Sequence, residues 1–408
     1  MTEYAFEFEN TQNSIIKVIG VGGGGSNAVN QMYREGIRDV DFVVCNTDLQ
    51  ALKDSPVPIK VQLGKTLTEG LGAGNRPEQG REAAIESLKE IEDILDSNTK
   101  MVFITSGMGG GTGTGAAPII AKAAKERGIL TVAIVTIPFK FEGNKRVQNA
   151  KDGIEEMRPY VDSLLIINNE RLKVIYGVEG VSTAFKRADN VLLTAARGIA
   201  EIITVHGYIN VDFEDVKTVM KESGVALMGS AVADGEDRAI NAIKDALTSP
   251  LLNDNDIKGA RDILLNMTFG NKELTMDEVD VITKYVEDAV GDSSNIIWGT
   301  GPDQRLEDEI NVTIIATGFE TQSGLYENTR TQKVIKDSGK GNKGRENPVG
   351  QSAEQGVLFP EPESDISPAE NENKYSRFRN VDELHDDEQL DDLEGKPAYQ
   401  RSSKPKND

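Results

Sequence analysis

Short apolar runs and helix-spaced apolar stripes take turns along the first half of the chain. Residues 15–20, 40–45, 59–63, 101–105, 131–138 and 163–168 are brief, nearly continuous apolar runs, the length expected of strands buried on both faces. Between them, residues 28–35 and 116–125 carry apolar positions at helical spacing and are closed by Gly36 and Gly128. Residues 81–95 place Ala84, Leu88, Ile91 and Leu95 on one stripe, and 144–158 form a further helix. Residues 64–80 read as a long polar, glycine-rich loop, a length that is seldom idle in a compact domain. Strand alternating with helix predicts an α/β fold: a parallel sheet covered on both faces, with ligands at the C-terminal ends of the strands.

The pattern changes after residue 181. Residues 182–205 read as one long helix whose apolar positions, among them Ala184, Phe185, Ala188, Leu192, Ile199 and Ile203, occupy more than one stripe. Such a helix is buried between two bodies. Beyond it, helices are expected at 213–222, 237–247 and 276–290, and strands at 225–231, 263–269, 296–298 and 310–317. The alternation is no longer strict, which predicts a smaller α+β unit on a mixed sheet. The division expected is a flexible arm at 1–13, a nucleotide domain at 14–181, a central helix at 182–208 and an α+β domain at 209–318. Residues 319–390 lose all apolar periodicity and read as a disordered linker, followed by a terminal peptide and extension at 391–408.

Two glycine-rich runs sit at strand ends in this pattern. Gly20, Gly22 and Gly25 satisfy G-x-G-x-x-G after the first strand, and Gly107-Met108-Gly109-Gly110-Gly111-Thr112-Gly113-Thr114-Gly115 follows the fourth. A glycine loop that opens a helix suits a phosphate: the backbone can curl close to an anion, and the helix N-terminus adds unpaired N–H donors and about half a positive charge. The threonines add hydroxyls for a phosphate oxygen or a hydrated magnesium. The plainer alternative is a turn that lets strand and helix pack closely. The first run alone is compatible with a nicotinamide-binding fold, but that reading leaves the second run unused. One nucleotide held between two glycine loops accounts for both.

Composition narrows the partners. The formal net charge of −22 argues against direct nucleic-acid binding, which needs a basic footprint. The single cysteine, Cys45, lies in an apolar run, reads as a small buried hydrophobe and forms no disulfide within one chain, as in a reducing cytoplasm. The start of the chain shows no basic region followed by an apolar core, and no run approaches the ~20 residues of a membrane span, so membrane insertion is not expected. Zinc chemistry has no suitable ligands.

No G-x-x-x-x-G-K-[ST] pattern occurs. The GGGTGTG run instead resembles the signature of the tubulin and FtsZ superfamily, on the bacterial FtsZ side rather than the eukaryotic tubulin side, over roughly residues 14–318 plus a short terminal piece. The resemblance implies a GTP/GDP site with Mg2+ carried by the phosphates and no direct protein ligand assigned to the metal. By motif it places Gly23, Gly24, Gly25, Ser26 and Asn27 in the first phosphate loop, with Asn27 also near the base. It puts Asn46 and Asp48 at the γ-phosphate and magnesium, Ala73, Gly74 and Asn75 in the loop that senses the γ-phosphate, and Gly109, Gly110, Gly111, Thr112 and Gly113 around the phosphates. Glu142 and Arg146 match a sugar-proximal pair, Phe185 a guanine-stacking ring and Asp189 the guanine-binding carboxylate. A carboxylate accepts from both N1–H and N2–H2 of guanine, a donor pair that adenine lacks; without the resemblance Asp189 reads as a solvated helix charge. Gln31 departs from the pattern, since several relatives carry a basic residue there.

Asn210, Asp212 and Asp215, in Asn-x-Asp-Phe-x-Asp, resemble the acidic loop that, in this family, reaches from one subunit into the nucleotide pocket of the next. The implied protein is a GTPase whose chemistry is completed only in a head-to-tail homopolymer that forms the cell-division ring in the cytoplasm. Without the resemblance, Asp212 and Asp215 read as acids at a helix N-terminus, Asp212 as its N-cap. The terminal peptide, with Pro397-Ala398-Tyr399-Gln400-Arg401, is similar to the family's docking peptide for membrane-anchoring and regulatory division proteins. It departs in the Gly395-Lys396 insertion, in Gln400 and in its polar extension. The competing readings are a nicotinamide-dependent oxidoreductase and a non-catalytic, nucleotide-gated scaffold.

Overall fold

The computed structural model describes residues 14–319, apart from 38, 96–97, 177–179, 205–208, 210, 250–256 and 292–293, with the side chains of 174–176 also outside the description. The expectations for the arm, the linker, the terminal peptide and Asn210 lie outside the described residues. β1 (Ile16–Val21) runs straight into α1 (Gly22–Glu35), and β2 (Asp41–Asn46) is followed by α2 (Leu49–Asp54). β3 (Ile59–Gln62) leads through α3 (Lys65–Thr68) to α4 (Pro77–Glu86) and α5 (Leu88–Leu95). Then come β4 (Met101–Gly107), α6 (Thr112–Glu126), β5 (Leu130–Ile137), α7 (Asn144–Met157), β6 (Ser163–Asn168) and α8 (Asn169–Tyr176). The long α9 (Val181–Thr204) is followed by α10 (Phe213–Met220), β7 (Gly224–Ala233) and α11 (Arg238–Leu247). β8 (Asp262–Phe269), α12 (Met276–Val290), β9 (Asn295–Pro302) and β10 (Ile310–Thr317) complete the described chain.

The strands form one sheet in the order β3-β2-β1-β4-β5-β6-β7-β10-β8-β9. From β3 to β7 every pairing is parallel; β10 runs antiparallel to both β7 and β8, and β8 pairs in parallel with β9. The expected parallel half and mixed half are thus both present, joined at the short β6–β7 pairing Ser163↔Gly224 to Leu165↔Ala226. Alternate residues of the parallel strands feed two cores. Val18, Phe42, Val44 and Phe103 pack with α1, α9 and α10, whereas Ile19, Val43, Cys45 and Ile104 pack with α4, α5, α6 and α7. Both faces are covered, which is why these strands carry almost no polar positions.

Several boundaries differ from the sequence reading. α1 and α6 begin inside the glycine runs, six and four residues before the expected starts at 28 and 116, because those glycines form the first helical turns against neighbouring backbone. The expected loop at 64–80 contains α3 and the start of α4, which opens on Pro77, a residue suited to a first helical position. The single helix expected at 81–95 breaks at Ser87, whose Oγ accepts from Gly64 N–H at 3.0 Å and so ties the break to the end of β3. α2 and α8 were not expected. β9 runs on to Pro302 instead of ending at 298, held by parallel pairing along the whole of β8.

In the mixed half, Arg238 is wholly buried. Its guanidinium donates to both Glu278 oxygens (2.6 and 3.0 Å) and to the carbonyls of Lys272, Glu273 and Asp308. One side chain therefore ties α11 to the start of α12 and to both loops beside them.

Candidate functional site

The two glycine runs follow the C-terminal ends of β1 and β4, which are neighbours in the sheet. A Cβ at Gly22 would lie 2.7 Å from Gly113 N, and one at Gly24 3.1 Å from the Cα of Gly107, so the loops rest on each other. Close approach explains part of the glycine content: a Cβ at Gly25 would overlap the Thr105 carbonyl, and one at Gly115 the Pro77 carbonyl. Gly23 and Gly110 are different, since a Cβ at either would meet nothing within 4 Å. Their space lies open beside the starts of α1 and α6. Neither helix has a side-chain N-cap, Val21 and Gly111 standing at those positions, so no side chain caps their first N–H groups. Two uncapped helix starts packed together have the chemistry to hold an anion. The sequence reading treated close packing and ligand binding as alternatives, whereas different glycines of the same runs serve each.

The threonine hydroxyls are partly committed. Thr114 Oγ1 accepts from Gly109 N–H at 2.8 Å and shapes the loop, while Thr112 Oγ1 lies 2.6 Å from Thr47 Oγ1. On one flank, Asn46 is buried and its Oδ1 accepts from Asp48 N–H at 3.3 Å. Asp48 Oδ1 caps α2 through Gln50 N–H and Ala51 N–H, an N-cap at i+2 and i+3 that the Asn-Thr-Asp motif concealed. Asp48 also bridges to Leu71, which joins this flank to the loop carrying Ala73, Gly74 and Asn75. Ala73 is buried; Gly74 and Asn75 are exposed, and Asn75 adopts a left-handed φ of 60°. Ser26 Oγ is buried and has no hydrogen-bond partner among the described residues.

The other flank is built from residues 138–146 and α9. Glu142 Oε1 accepts from Phe139 N–H at 2.9 Å and its Oε2 from Arg146 Nη1 at 3.0 Å, so the two expected sugar-proximal residues are already paired with each other. Phe139 is buried, stacks on Phe141 (centroids 4.9 Å apart) and meets Phe185 edge-on at 5.4 Å. Phe185 itself is 39% exposed, an aromatic face held in place at its edge. A cleft of about 700 Å³ lies along α1, α2 and α9, with Gly23, Ser26, Asn27, Asn30, Lys186 and Asp189 in its lining. Burial pushes the Asp189 carboxyl up to about 6. Gln31 Nε2 donates to Asn190 Oδ1 and so ties α1 to α9 across this cleft.

Asp212 and Asp215 stand elsewhere. Each donates its backbone N–H to the other's carboxylate, at 2.9 and 3.1 Å, in a capping box at the start of α10. The N-cap reading is therefore met, and each carboxylate keeps one oxygen outside the box. α9 separates this box from Asp189: from Asp189 to its last residue, Thr204, the helix advances about 22 Å at ~1.5 Å per residue. α10 then leads into β7, which enters the sheet parallel to β6 at Gly224, the strand-start edge opposite the glycine loops. The structure brings together the glycine runs, Asn46, Asp48, Ala73 and the Glu142–Arg146 pair, with Phe185 and Asp189 on α9. It does not bring Asp212 and Asp215 to them.

Three further residues of this region escaped the sequence reading. Thr47 and Phe139 are buried supports of Thr112 and Phe185. Asn169 follows β6 directly and has a buried Oδ1 without a partner among the described residues; its place at a strand's C-terminal end was the available signal. A second cleft, of about 610 Å³, lies at the far end of α9, with Glu201, Asn266, Thr300 and Arg305 among its lining. It is remote from the glycine loops and holds none of the expected nucleotide residues.

Comparison with known proteins bears on what this site holds. Residues 15–177 match the GTPase domain of the Tubulin/FtsZ family, and residues 224–320 match the FtsZ family C-terminal domain. The cell division protein FtsZ of Porphyromonas gingivalis is 45% identical over 403 residues, 95% of this chain and 85% of that protein. The chain belongs to the FtsZ family. FtsZ of Buchnera aphidicola is 49% identical over 325 residues, covering 79% of this chain and 84% of its own length. An FtsZ dimer from M. jannaschii matches with a TM-score of 0.71 at 42% identity, over 76% of this chain and 89% of that one. CetZ1 of Haloferax volcanii, at 22% identity and a TM-score of 0.65, shares the fold. The FtsZ-family assignment makes the chain a GTPase and sets the nicotinamide reading aside: the two glycine runs belong to one GTPase domain.

Proposed function

We propose that this FtsZ-family GTPase hydrolyses GTP at a site shared between consecutive copies in a head-to-tail filament. The observation that carries the proposal is the position of the acidic box, at the opposite sheet edge from the glycine loops and a helix length from Asp189. The pocket's own carboxylates have other work, Asp48 capping α2 beside the γ-phosphate and Asp189 reading the base, so the pocket and a separate acidic box complement each other when one end of a copy meets the other end of the next. That contact is heterologous and does not close, so it propagates. Residues 14–181 serve as the nucleotide domain, 182–208 as the connecting helix and 209–318 as the unit that presents the acidic loop.

In this reading the starts of α1 and α6, with Gly23, Gly24, Gly25, Ser26 and Gly109 to Gly113, hold the phosphates. Asn46, Asp48 and the loop of Ala73, Gly74 and Asn75 border the γ-phosphate. Glu142 and Arg146 hold the sugar, Phe185 stacks on guanine, and Asp189 with Asn27 reads its edge. Asp212 and Asp215 of the following copy, with Asn210, orient water and take its proton. The side-chain oxygens near the phosphate loops come from Asp48, Asn46 and the threonines, hard donors that suit a hydrated Mg2+. Among the described residues no cluster of three acidic, histidine or cysteine side chains could cage a metal, and in this reading the ion arrives with the nucleotide phosphates. When bound, it would neutralise charge on the transferred phosphoryl group.

The assembled filaments form the cytoplasmic division ring, and the terminal peptide from residue 391 docks on membrane-anchoring and regulatory division proteins. Among the described residues no helix is long and apolar enough to cross a membrane. Phosphate release and light scattering, followed together over a protein dilution series with GTP, test the shared site. Turnover per subunit should fall with scattering; a rate per subunit that holds steady after scattering has vanished refutes it. Deleting residues from 391 onward should abolish recruitment and leave polymerisation intact.

A further inference from the structure

Thr47 is wholly buried at the end of β2, between Asn46 and Asp48. Among the described residues its hydroxyl has one hydrogen-bond partner, Thr112 Oγ1 at 2.6 Å. Thr112 is the first residue of α6, directly behind the glycine run, at a helix start with no side-chain cap. The pair holds two hydroxyl protons and uses one between its oxygens. A proton on a wholly buried side chain needs an acceptor, and for Thr47 that acceptor is Thr112. Either hydroxyl can donate within the pair; Thr47 is fully enclosed whereas Thr112 keeps 9% exposure beside the glycine run, so with Thr47 donating the Thr112 proton is left on the side of that run.

We infer that Thr47 is a positioning residue for phosphate binding: it donates to Thr112 Oγ1 and aims the Thr112 proton at a phosphate oxygen of the bound nucleotide. This rests on the glycine loops being the phosphate site. A hydroxyl that accepts a hydrogen bond becomes a better donor, so the buried partner strengthens as well as orients the contact. Thr47 is itself fixed. Its β-branched side chain has few rotamers, its carbonyl accepts from Thr68 Oγ1 at 3.4 Å, and the Asn46 and Asp48 hydrogen bonds hold the backbone on both sides. A merely structural role, satisfying two buried hydroxyls between β2 and α6, would have no reason to favour ligands that carry phosphate.

The test measures affinity for GDP and for guanosine, each displacing a fluorescent GTP analogue from the full-length chain. Thr47→Val keeps the side-chain shape and removes the donor. It should weaken GDP about fivefold to tenfold, the worth of one hydrogen bond, and leave guanosine unchanged. Thr47→Ser should restore GDP to within about twofold. The double variant Thr47→Val/Thr112→Val should bind GDP no worse than Thr112→Val alone, since the two act as one unit. Thr47→Cys, a weaker donor of similar volume, is read in the same way should the valine variant not fold. Equal losses for GDP and guanosine, or none for either, overturn the inference. If Thr112→Val leaves GDP affinity intact, the phosphate site has been misplaced and the inference falls with it; if Thr112→Val weakens GDP and Thr47→Val does not, the site stands and only the relay fails.

Discussion

Asp189 offers the sharpest handle on base recognition, because the property that fits it for guanine also makes it titrate in an accessible range. Its carboxyl is largely withdrawn from water in the cleft along α9, and burial pushes it up to about 6. Only the ionised form accepts from both N1–H and N2–H2. A group with that midpoint is roughly 90% ionised at pH 7 and roughly 10% at pH 5. If guanine binds the carboxylate alone, affinity should fall about tenfold between those pH values, close to 1.4 kcal/mol. The sign is fixed: acidification weakens binding, and guanine in turn draws the carboxyl back down. Nucleotide phosphates titrate nearby, so the comparison is with Asp189→Asn, which keeps the shape but lacks the charge. The assay is equilibrium titration with a fluorescent GTP analogue from pH 5 to pH 8 for both proteins. The ratio of their affinities should change about tenfold between pH 7 and pH 5, with the variant weaker throughout. Parallel pH curves, or a wild-type affinity that rises on acidification, would refute the assignment of Asp189 to the guanine edge.

Further expectations concern other parts of the molecule. Asp212→Asn keeps a good N-cap for α10 and removes the charge, so GTP binding and thermal stability should hold while turnover drops about a hundredfold or more; full turnover would return Asp212 to a purely structural role. Arg238→Met leaves three carbonyls and Glu278 without their buried donor and should cost about 3–5 kcal/mol in denaturant unfolding; a loss below 1 kcal/mol would contradict that account. The hydrogen bond from Arg238 holds Glu278 down to about 2. Its contribution is fully present above the usual carboxylate range and is lost as pH falls through about 2, and this acid-side slope should flatten in the same variant. Gly115→Ala drives a methyl into the Pro77 carbonyl between α4 and α6 and should lower stability by about 1–3 kcal/mol or more; an unchanged unfolding midpoint would show that the two helices separate freely.

The parallel half was legible because its strands are buried on both faces, so apolar runs such as 163–168 coincide with β6 to the residue. α9 was legible from its helix-spaced apolar positions, of which Leu192, Leu193, Ala196, Ile199 and Ile202 pack into the core shared with α1 and α10. The expected starts at 144, 213 and 276 coincide with those of α7, α10 and α12, but the starts of α1 and α6 were not legible. Glycine argues locally against helix, yet Gly22, Gly24 and Gly25 lie in the first turn of α1 and Gly113 in that of α6, where neighbouring backbone leaves no room for a side chain. α2 was hidden because its N-cap, Asp48, had been read only as a ligand group. Sites made of backbone and motif, such as the glycine loops, could be read from the sequence. Supports that come from other parts of the chain, such as Thr47 behind Thr112 or Phe139 at the edge of Phe185, have no signature in the linear order.

The division of the active centre between two copies is tested most directly by mixing two damaged proteins. Asp212→Asn keeps its pocket and lacks the acidic group; Asp189→Ala keeps the acidic group and binds guanine poorly. At a GTP concentration that fills only the first protein's pockets, phosphate release is measured for each alone and for an equal mixture at the same total concentration. The account requires the mixture to exceed the sum of its parts, because sound pockets then face sound acidic loops. A mixture that only averages the two rates would mean that each copy carries its own complete centre.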